Sequence, residues 1–454
     1  MDNISDAIAM TETEKLDQLE IKYKKACRYI KILEKKPIII PIEQFLCLAE
    51  DYTVHQKISQ LNIMLPNASK GKEYNYTFIP EQIGLPALKY FELCELKELG
   101  LTFDNKTKTI TGKPTQSGDF SIKLRYKLTD KEDTYPFLEK NITLLINPDP
   151  KDLWQNLPSD KNDKYWKPDC DKLALSLNAG KRIIVASQRG RSHAQEGKFR
   201  EDDFAVYYHE DLKWSVVVVA DGAGSAKYSR QGSFLACNEI IDLFKMLTKE
   251  QISSLEEAVI NYQKLNSDTT KQELHNLLHQ DFLAKAAHNA YRKLAQEANK
   301  NETDVKDYAT TIVFSILKKF DFGWFIASYG VGDSPMGIYT QNKDPIIMHY
   351  PEEGEYSGQT YFLTMPKIFE QSRIAFKIIE DFTAIILMTD GIYDPKFQTR
   401  ANLDKTQMWA NLWQELTEQL NFSLENEALS EKLLEWLDFW SVGNHDDRTI
   451  ALIF

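Results

Sequence analysis

The sequence has few cysteines, and their spacing indicates neither a disulfide framework nor a zinc site. The five cysteines are an odd number, and no two of them form a C-x-x-C pair. Small secreted domains depend on disulfides, whereas scattered thiols are typical of proteins in a reducing compartment. We therefore expect reduced thiols and a cytoplasmic location.

The chain also lacks long apolar runs, an apolar leader and an excess of basic residues. Apolar runs such as residues 214–220 have the length of a strand, whereas a membrane helix needs about 20 apolar residues. Residues 1–20 are acidic and polar, so we expect no signal peptide. The formal net charge is -12, and nucleic-acid binders need clustered Lys and Arg. We expect neither a membrane nor a nucleic acid among the partners.

The composition is that of a folded protein with more than one domain. Apolar residues make up 43% of the 454 residues, which is enough for packed cores and suggests two or three domains. A helical segment is predicted within residues 1–70. Its apolar residues recur at steps of three and four, at Leu16, Leu19, Tyr23, Ala26, Ile30 and Leu33. A helix docked on its own protein and a coiled coil both fit this pattern.

Residues 74–148 have the alternating pattern of half-buried strands. Apolar and polar residues alternate along 120–127 and again along 142–146, with the period of two that a strand requires. The stretch 100–120 resembles the immunoglobulin-like, cadherin-like modules of bacterial proteins. This resemblance implies a small all-β sandwich that binds a protein partner or acts as a spacer. A linker rich in Pro, Asp and Asn is predicted over residues 149–180.

The remaining residues, 181–454, have a pattern that favours an α+β domain. Two helical blocks lie between groups of strands, which differs from the regular alternation of βαβ repeats. A nucleotide-binding glycine loop is not indicated, because Gly222-Ala-Gly224 lacks the later glycine that such a loop requires. Strands are predicted at 182–186, 204–208, 214–220, 311–317, 324–329, 384–388 and 449–454, and helices at 230–247, 271–299 and 406–420.

Four of these predicted strands end in an acidic turn or directly follow one. The turns are Glu201-Asp202, Asp221-Gly222, Asp390-Gly391 and Asp446-Asp447, with Asp203 and Asp447 as alternative registers for the two acidic pairs. A single Asp-Gly is a common turn, so the signal is the conjunction of all four. Carboxylates at strand ends can converge at one edge of a sheet, where they need cations among them. Oxygen ligands without His or Cys indicate Mg²⁺ or Mn²⁺.

A carboxylate site of this kind predicts hydrolysis of a phosphate ester by a water that bridges two cations. No protein nucleophile is needed for such a reaction. A cysteine phosphatase would instead need an activated thiolate within a phosphate-binding loop. Cys237 lies in a predicted helix and Cys170 lies in the predicted linker, so neither fits that alternative.

Six motifs, in order along residues 181–454, resemble those of the type 2C metal-dependent protein phosphatases. They are Glu201-Asp202, Asp221-Gly222-x-Gly224, Thr310-Thr311, Gly332-Asp333-Ser334, Asp390-Gly391-Ile392-Tyr393-Asp394 and Asp446-Asp447. The resemblance implies a four-layer α-β-β-α sandwich of antiparallel sheets. It also implies a phosphoprotein substrate carrying phosphoserine or phosphothreonine, and a partner kinase. Residues 354–364 resemble the flap of the bacterial branch of this family.

The resemblance further implies a role for each site residue. Asp202, Asp221, Asp390, Asp446 and the Gly222 carbonyl would hold two Mg²⁺ or Mn²⁺ ions, Glu201 would hold a metal-bound water, and Asp333 and Asp394 would hold a third, weaker ion. His193, Arg191 and Arg200 are alternatives for the group that grips the substrate phosphate. A catalytically silent phosphatase-like module for signalling or as an adaptor is the rival function, and the intact acidic set favours the enzyme.

Overall fold

The fold is known from a computed structural model that describes residues 12–32, 42–86, 88, 90–128, 137–177, 180–352, 360–366 and 368–454. The chain divides into two units, Met1–Leu153 and Trp154–Phe454. Both helices and strands are well represented, so the predicted mixed α+β class is confirmed. Residues 354–359 of the predicted flap lie outside the described residues.

The first unit combines two helices with two small sheets. Its elements are α1 (Glu12–Ile32), α2 (Ile42–Gln60), β1 (Ala68–Ser69), β2 (Tyr74–Thr77), β3 (Tyr90–Cys94), β4 (Leu101–Asp104), β5 (Thr109–Gly112), β6 (Gly118–Lys127) and β7 (Leu138–Asn147). The strand order is β1-β7-β6-β3 in one sheet and β2-β5-β4 in the other. The pairing is antiparallel except between β1 and β7.

One hydrophobic core spans the helices and the strands of the first unit. It extends from Ala26 on α1 to Ile146 on β7. The helical segment predicted for residues 1–70 therefore shares its core with the strands that follow. Within α1 the residues nearer the C-terminal end are packed, since Ala26 and Tyr29 are buried, whereas Leu16 and Leu19 are exposed. Leu33, the last residue of the predicted pattern, lies outside the described part of the chain.

The second unit contains eleven of the described strands and eight of the α-helices. They are β8 (Cys170–Ser176), β9 (Arg182–Gln188), α3 (Arg191–Glu196), β10 (Asp203–His209), β11 (Trp214–Ala220), α4 (Ser229–Met246), α5 (Lys249–Leu265), α6 (Asp268–Leu277), α7 (Leu283–Lys300), β12 (Ile312–Phe320), β13 (Gly323–Val331), β14 (Met336–Tyr339), β15 (Ile346–His349), β16 (Ile374–Ile379), β17 (Ala384–Met388), α8 (Asp390–Phe397), α9 (Thr406–Gln419), α10 (Leu429–Trp436) and β18 (Arg448–Ile453). No helix in the described ranges has both the length and the apolar composition needed to cross a bilayer.

These strands form two antiparallel sheets that share a hydrophobic cluster. The strand orders are β10-β11-β12-β13-β16 and β15-β14-β17-β18-β9-β8. Val217 and Val219 of β11 belong to the cluster that contains residues of both sheets. Val216 and Val218 point to the opposite face and pack with residues of α4 to α7. Because both faces of β11 are buried, its sequence is a continuous apolar run and does not alternate with polar residues.

The predicted linker at residues 149–180 contains more structure than its composition indicates. Cys170–Ser176 is the edge strand β8, which pairs with β9. Its exposed edge explains its polar appearance, since only Leu173 and Leu175 pack against the cluster between the sheets. Residues 154–169 lie within the second unit.

Candidate metal centre

The register of the strands brings the predicted acidic turns to one end of the two sheets. β10 pairs with β11 in a register that continues to Asp202 beside Asp221. β18 pairs with β17 on one side and with β9 on the other. These two registers place the turns that carry Asp390, Asp446 and Gly190 next to one another. Four stretches that are distant in the sequence therefore meet at the same end.

A cleft of about 590 Å³ opens at this end of the sheets. Seven of the predicted site residues line it, namely His193, Glu201, Asp221, Gly222, Asp333, Asp390 and Asp446. Its remaining walls include Thr311 of the Thr310-Thr311 motif, Thr360, Tyr361 and Phe362 of the predicted flap, and Met365, which no predicted motif contains. The structure thus brings most of the predicted site together in one place.

Asp202 is buried beside the cleft, with 1% of its surface exposed. Its Oδ2 accepts hydrogen bonds from the hydroxyls of Thr389 at 2.9 Å and Thr449 at 2.7 Å. Its Oδ1 is also buried, and no described residue donates a hydrogen bond to it. Burial, together with the negative charges of the 446–447 pair, raises the pKa of Asp202 to about 7.

Asp221 and Asp390 are held at the ends of their strands and repel each other. The backbone N–H of Asp221 donates to Thr311 Oγ1 at 3.0 Å, and its carbonyl accepts from the Thr311 N–H at 2.7 Å. Asp390 begins α8 and is separated from the end of β17 by Thr389 alone. Burial and then the charge of Asp390 raise the pKa of Asp221 well above its usual value. Burial and then the charge of Asp446 do the same for Asp390.

The glycines after these two aspartates allow a close approach of the backbone. A Cβ atom at Gly391 would lie 1.9 Å from the carbonyl oxygen of Asp447, and one at Gly222 would lie 2.7 Å from the carbonyl oxygen of Glu201. Both distances are too short for any side chain. The Asp-Gly steps are therefore needed for the packing of one acidic turn against another.

Asp333 and Asp394 differ in how closely they join the cluster. Asp333 follows β13 and accepts a hydrogen bond from Thr360 Oγ1 at 2.5 Å, while its buried Oδ1 receives none from a described residue. Burial raises the pKa of Asp333. Asp394 lies one turn after Asp390 on α8 and is exposed beside the cleft. Partial burial and the charge of Asp333 raise the pKa of Asp394, so the two carboxylates interact electrostatically.

Hydrogen bonds distinguish Asp446 from its neighbour Asp447. Asp446 lines the cleft. The buried Asp447 accepts from the N–H groups of Gly190 at 2.6 Å and Glu201 at 2.5 Å, and from His193 Nδ1 at 2.9 Å. These donors hold the pKa of Asp447 below its usual value in spite of burial. His193, Asp446 and Asp447 offer atoms within 4.8 Å of one another, but the oxygens of Asp447 are already hydrogen-bonded.

Hydrogen bonds and ion pairs also distinguish Asp202 from its neighbour Asp203. Asp203 is paired with the ammonium of Lys167 at 2.9 Å, and its Oδ1 accepts the N–H of Phe204 at 2.9 Å. Among the described residues, Asp202 has no such counter-ion, and its buried Oδ1 has no hydrogen-bond donor. Asp202 therefore keeps Oδ1 open to a cation. Asp446 faces the cleft and accepts one hydrogen bond, from the N–H of Asp447 to its Oδ1 at 2.8 Å.

His193 brings a positive charge to the wall of this acidic cleft. Its Nδ1 is hydrogen-bonded to Asp447, and its Nε2 lies 4.0 Å from Glu201 Oε2. Burial disfavours the imidazolium, but the hydrogen bond and charge of Asp447 outweigh it and raise the pKa of His193 to about 9. Because Asp447 occupies Nδ1, Nε2 is the nitrogen that can donate into the cleft.

Arg200 does not reach the cleft, which contradicts its predicted role in catalysis. Its side chain is 1% exposed, and its guanidinium donates to Ser187 Oγ at 2.5 Å and to the carbonyl of Asp202 at 3.1 Å. Sequence proximity to the acidic pair suggested a contact with substrate, but these internal acceptors already bind the guanidinium. Arg191 is paired with Asp438 away from the cleft wall. Of the three alternatives, the histidine described above is the one that lines the cleft.

The cleft offers oxygen ligands that suit a pair of hard divalent cations. Glu201 Oε2, Asp202 Oδ1 and Asp333 Oδ1 are buried carboxylate oxygens without a hydrogen-bond donor among the described residues. Burial raises the pKa of Glu201 to about 7. Neither Lys nor Arg is among the described lining residues. Crowded anions without donors are unfavourable unless cations lie between them, and an all-oxygen set suits Mg²⁺ or Mn²⁺.

Several solved structures of bacterial phosphatases are similar to part of this chain. The S. agalactiae serine/threonine phosphatase is 15% identical with a TM-score of 0.39, and the match covers 60% of this chain and 99% of that chain. Stp1 from Staphylococcus aureus is 13% identical with a TM-score of 0.37, covering 62% and 96%. The catalytic domain of PstP, in complex with 2 manganese ions, is 14% identical with a TM-score of 0.37, covering 60% and 97%. No curated protein matched the sequence.

A protein-family model assigns the chain to a family. The model described as Protein phosphatase 2C matches residues 189–438, which is more than half of the chain. The match lies within the second unit and includes the cleft residues from His193 to Asp390. The chain therefore belongs to the protein phosphatase 2C family, whose members are serine/threonine protein phosphatases.

Proposed function

We propose that this protein is a metal-dependent phosphatase that hydrolyses phosphoserine and phosphothreonine esters in proteins. One observation carries the proposal. Five acidic side chains from distant parts of the chain, Glu201, Asp221, Asp333, Asp390 and Asp446, line a single cleft. Glu201 Oε2, Asp202 Oδ1 and Asp333 Oδ1 are buried and receive no hydrogen bond from a described residue, as expected of a site built for cations. The family supplies the reaction class. The expected partner enzyme is a kinase that phosphorylates the substrate protein.

The proposed ligands of two Mg²⁺ or Mn²⁺ ions are Asp202, Asp221, Asp390, Asp446 and the carbonyl of Gly222. Asp333 and Asp394 are proposed to hold a third, weaker ion. When bound, such ions would lower the pKa of a water so that it loses a proton and can attack phosphorus. They would also neutralise charge on the phosphoryl oxygens. The chain's own contribution is to fix the carboxylates, as the hydroxyls of Thr389 and Thr449 do for Asp202.

Two further side chains are placed to handle protons and the substrate phosphate. The open Oε2 of Glu201 can accept a hydrogen bond from a water in the cleft, which is the position that a carboxylate needs for proton transfer to or from that water. His193 can donate its Nε2–H, with a full positive charge, to a phosphoryl oxygen or to the leaving oxygen. In this proposal His193 grips the phosphate.

We also propose a four-layer α-β-β-α arrangement for the second unit. Three hydrophobic clusters support it. One contains residues of both sheets, one joins the five-stranded sheet to α4 and α7, and one joins the six-stranded sheet to α8, α9 and α10. Residues 74–148, which supply most strands of the two small sheets in the first unit, are proposed to be an immunoglobulin-like module that binds a protein partner.

The test of this function is hydrolysis of p-nitrophenyl phosphate by the full chain with Mn²⁺, with and without EDTA. Asp221→Asn should abolish the activity, because it removes a carboxylate from the centre of the cluster. Asp381→Asn is the matched control, since Asp381 pairs with Lys181 at 3.1 Å and its side chain is 65% exposed. Activity that persists in EDTA, or an Asp221→Asn variant as active as Asp381→Asn, would contradict the proposal.

The rival function, a catalytically silent signalling or adaptor module, gives a different result in the same experiment. Such a protein would bind Mn²⁺ in a calorimeter but would not hydrolyse p-nitrophenyl phosphate with either Mn²⁺ or Mg²⁺. For an active protein, phosphopeptides carrying phosphoserine, phosphothreonine or phosphotyrosine then identify the substrate. Release of phosphate from the first two and not from phosphotyrosine is the expected pattern.

A further inference from the structure

Residues 154–169, called the strap below, precede the family match that begins at residue 189. Their composition is that of a linker, yet the structure anchors them to the second unit. The N–H of Leu157 donates to the carbonyl of Ala194 on α3 at 2.9 Å. The hydroxyl of Tyr165 donates to Glu297 on α7 at 2.9 Å. The strap is therefore attached to elements on two different parts of this unit.

Lys167 connects the strap to the acidic turn beside the cleft. Its ammonium donates to the carbonyl of Asp202 at 2.7 Å and to the carboxylate of Asp203 at 2.9 Å. The carbonyl of Arg230 at 3.4 Å and Ser233 Oγ at 3.5 Å, both on α4, complete its surroundings. The side chain is 11% exposed, so these contacts are shielded from water. Lys167 joins the turn to the helix behind it.

A second cation holds the same backbone carbonyl. Arg200 Nη1 donates to the Asp202 carbonyl at 3.1 Å, and Arg200 Nε donates to the carbonyl of Pro168 in the strap at 3.3 Å. The carbonyl of Asp202 thus accepts from two charged donors, and hydrogen bonds of this kind are stronger than neutral ones. The position of this carbonyl decides where the Asp202 side chain begins, and therefore where its open Oδ1 lies.

We propose that Lys167 is a positioning residue for the metal centre, and that the strap belongs to the catalytic unit. Lys167 keeps the backbone of Asp202 in the place where Oδ1 faces the other carboxylates. It touches neither substrate nor ion, and it acts through Asp202. The inference rests on the proposed function, because it assigns a task in binding the ions of that same site.

The experiment measures Mn²⁺ binding to the full chain by isothermal titration calorimetry. Lys167→Met keeps the length of the side chain and removes its donors. We expect its dissociation constant for Mn²⁺ to rise by roughly tenfold or more, as is typical when a group that orients a metal ligand is lost. The Mn²⁺ concentration for half-maximal phosphatase activity should rise in parallel. Tyr165→Phe removes another strap anchor that is not bonded to the acidic turn, and it should bind Mn²⁺ as the wild type does.

A second variant separates positioning from simple stability. Lys167→Met leaves Asp203 buried without its counter-ion, which destabilises a fold. The double variant Lys167→Met/Asp203→Asn removes that charge as well. It should recover much of the melting temperature and still bind Mn²⁺ weakly, because the bond to the Asp202 carbonyl remains absent. The double variant also carries the test if the single variant does not fold.

Two results would overturn the inference in distinguishable ways. If the wild type binds Mn²⁺ and the folded double variant binds it equally well, then Lys167 contributes stability alone and the positioning role is refuted. If the wild type itself binds no Mn²⁺, the proposed function fails, and the role of Lys167 fails with it.

Discussion

The metal-free protein should lose stability as the pH rises, and Asp202→Asn should reverse part of that loss. In the folded protein the pKa of Asp202 rises from an ordinary 3.8 to about 7, so the folded state binds this proton more tightly than the unfolded state. Stability is therefore lost as the pH rises from the unfolded value through the folded one. Over this whole range the difference is on the order of 4 kcal/mol.

Asparagine keeps the hydrogen bonds of Asp202 while removing its charge. Its carbonyl oxygen can still accept from the hydroxyls of Thr389 and Thr449, which bind Oδ2 in the wild type. In EDTA at about pH 8, the variant should be more stable than the wild type by up to about 4 kcal/mol, and near pH 5.5 by roughly half as much. A domain of this size gains roughly 2 °C in melting temperature per kcal/mol, so the largest expected shift is about 8 °C.

Thermal melting followed by near-ultraviolet circular dichroism measures these shifts at both pH values. His193 loses its stabilising charge as the pH rises from its ordinary 6.5 through about 9, but it does so in both proteins and leaves their difference unchanged. Added Mn²⁺ should raise the melting temperature of the wild type, with a stabilisation of about 2.7 kcal/mol at 100 times the dissociation constant. Added Mn²⁺ should raise the melting temperature of Asp202→Asn much less.

Asp447→Asn is a control for which we expect the opposite change in melting temperature. Asp447 accepts hydrogen bonds from Gly190, Glu201 and His193, and these hold its pKa below the usual value. Its substitution should therefore lower the melting temperature with or without metal. The reasoning is refuted if Asp202→Asn melts below the wild type in EDTA at the higher pH, or if its advantage does not change with pH.

Three further outcomes are expected. Gly391→Ala should strongly lower the melting temperature, because its Cβ would lie 1.9 Å from a carbonyl oxygen; a wild-type melting curve would contradict this. His193→Gln should raise KM for p-nitrophenyl phosphate at saturating Mn²⁺ by roughly tenfold or more, since it removes a charged hydrogen bond; an unchanged KM in steady-state kinetics would exclude the phosphate contact. Asp394→Asn should leave kcat at saturating Mn²⁺ nearly unchanged and raise the half-maximal Mn²⁺ concentration, because Asp394 is exposed beside the cleft; a large loss of kcat would place it at the centre.

The central strands were the easiest part of the fold to predict. The predicted strands at 214–220 and 384–388 have the same bounds as β11 and β17. Both are buried on both faces, so they appear in the sequence as short continuous apolar runs. The edge strand β8 was assigned to a linker, and the four-residue strands β14 and β15 were not predicted. Short or one-sided strands have too little apolar pattern to be recognised without their partners.

The acidic cluster was predictable because each aspartate adjoins a recognisable strand. The sequence does not decide between Asp446 and Asp447 as the metal ligand. That choice depends on which carboxylate accepts hydrogen bonds from the N–H groups of Gly190 and Glu201. Arg200 was predicted to contact substrate, and its true acceptors include carbonyl and hydroxyl groups from other segments. Lys167 lay in a stretch whose composition indicated a linker. Long-range contacts of this kind leave no local pattern in a sequence.

The position of β18 has a consequence for how the protein matures during translation. This strand lies between β17 and β9 in the six-stranded sheet, and all of its residues are buried. It is also the last strand of that sheet to leave the ribosome. Until it does so, β17 and β9 have unpaired edges that can recruit other chains. Because Asp446 lies just before β18 and lines the acidic cleft, the pairing of this strand both covers the two edges and completes the cleft.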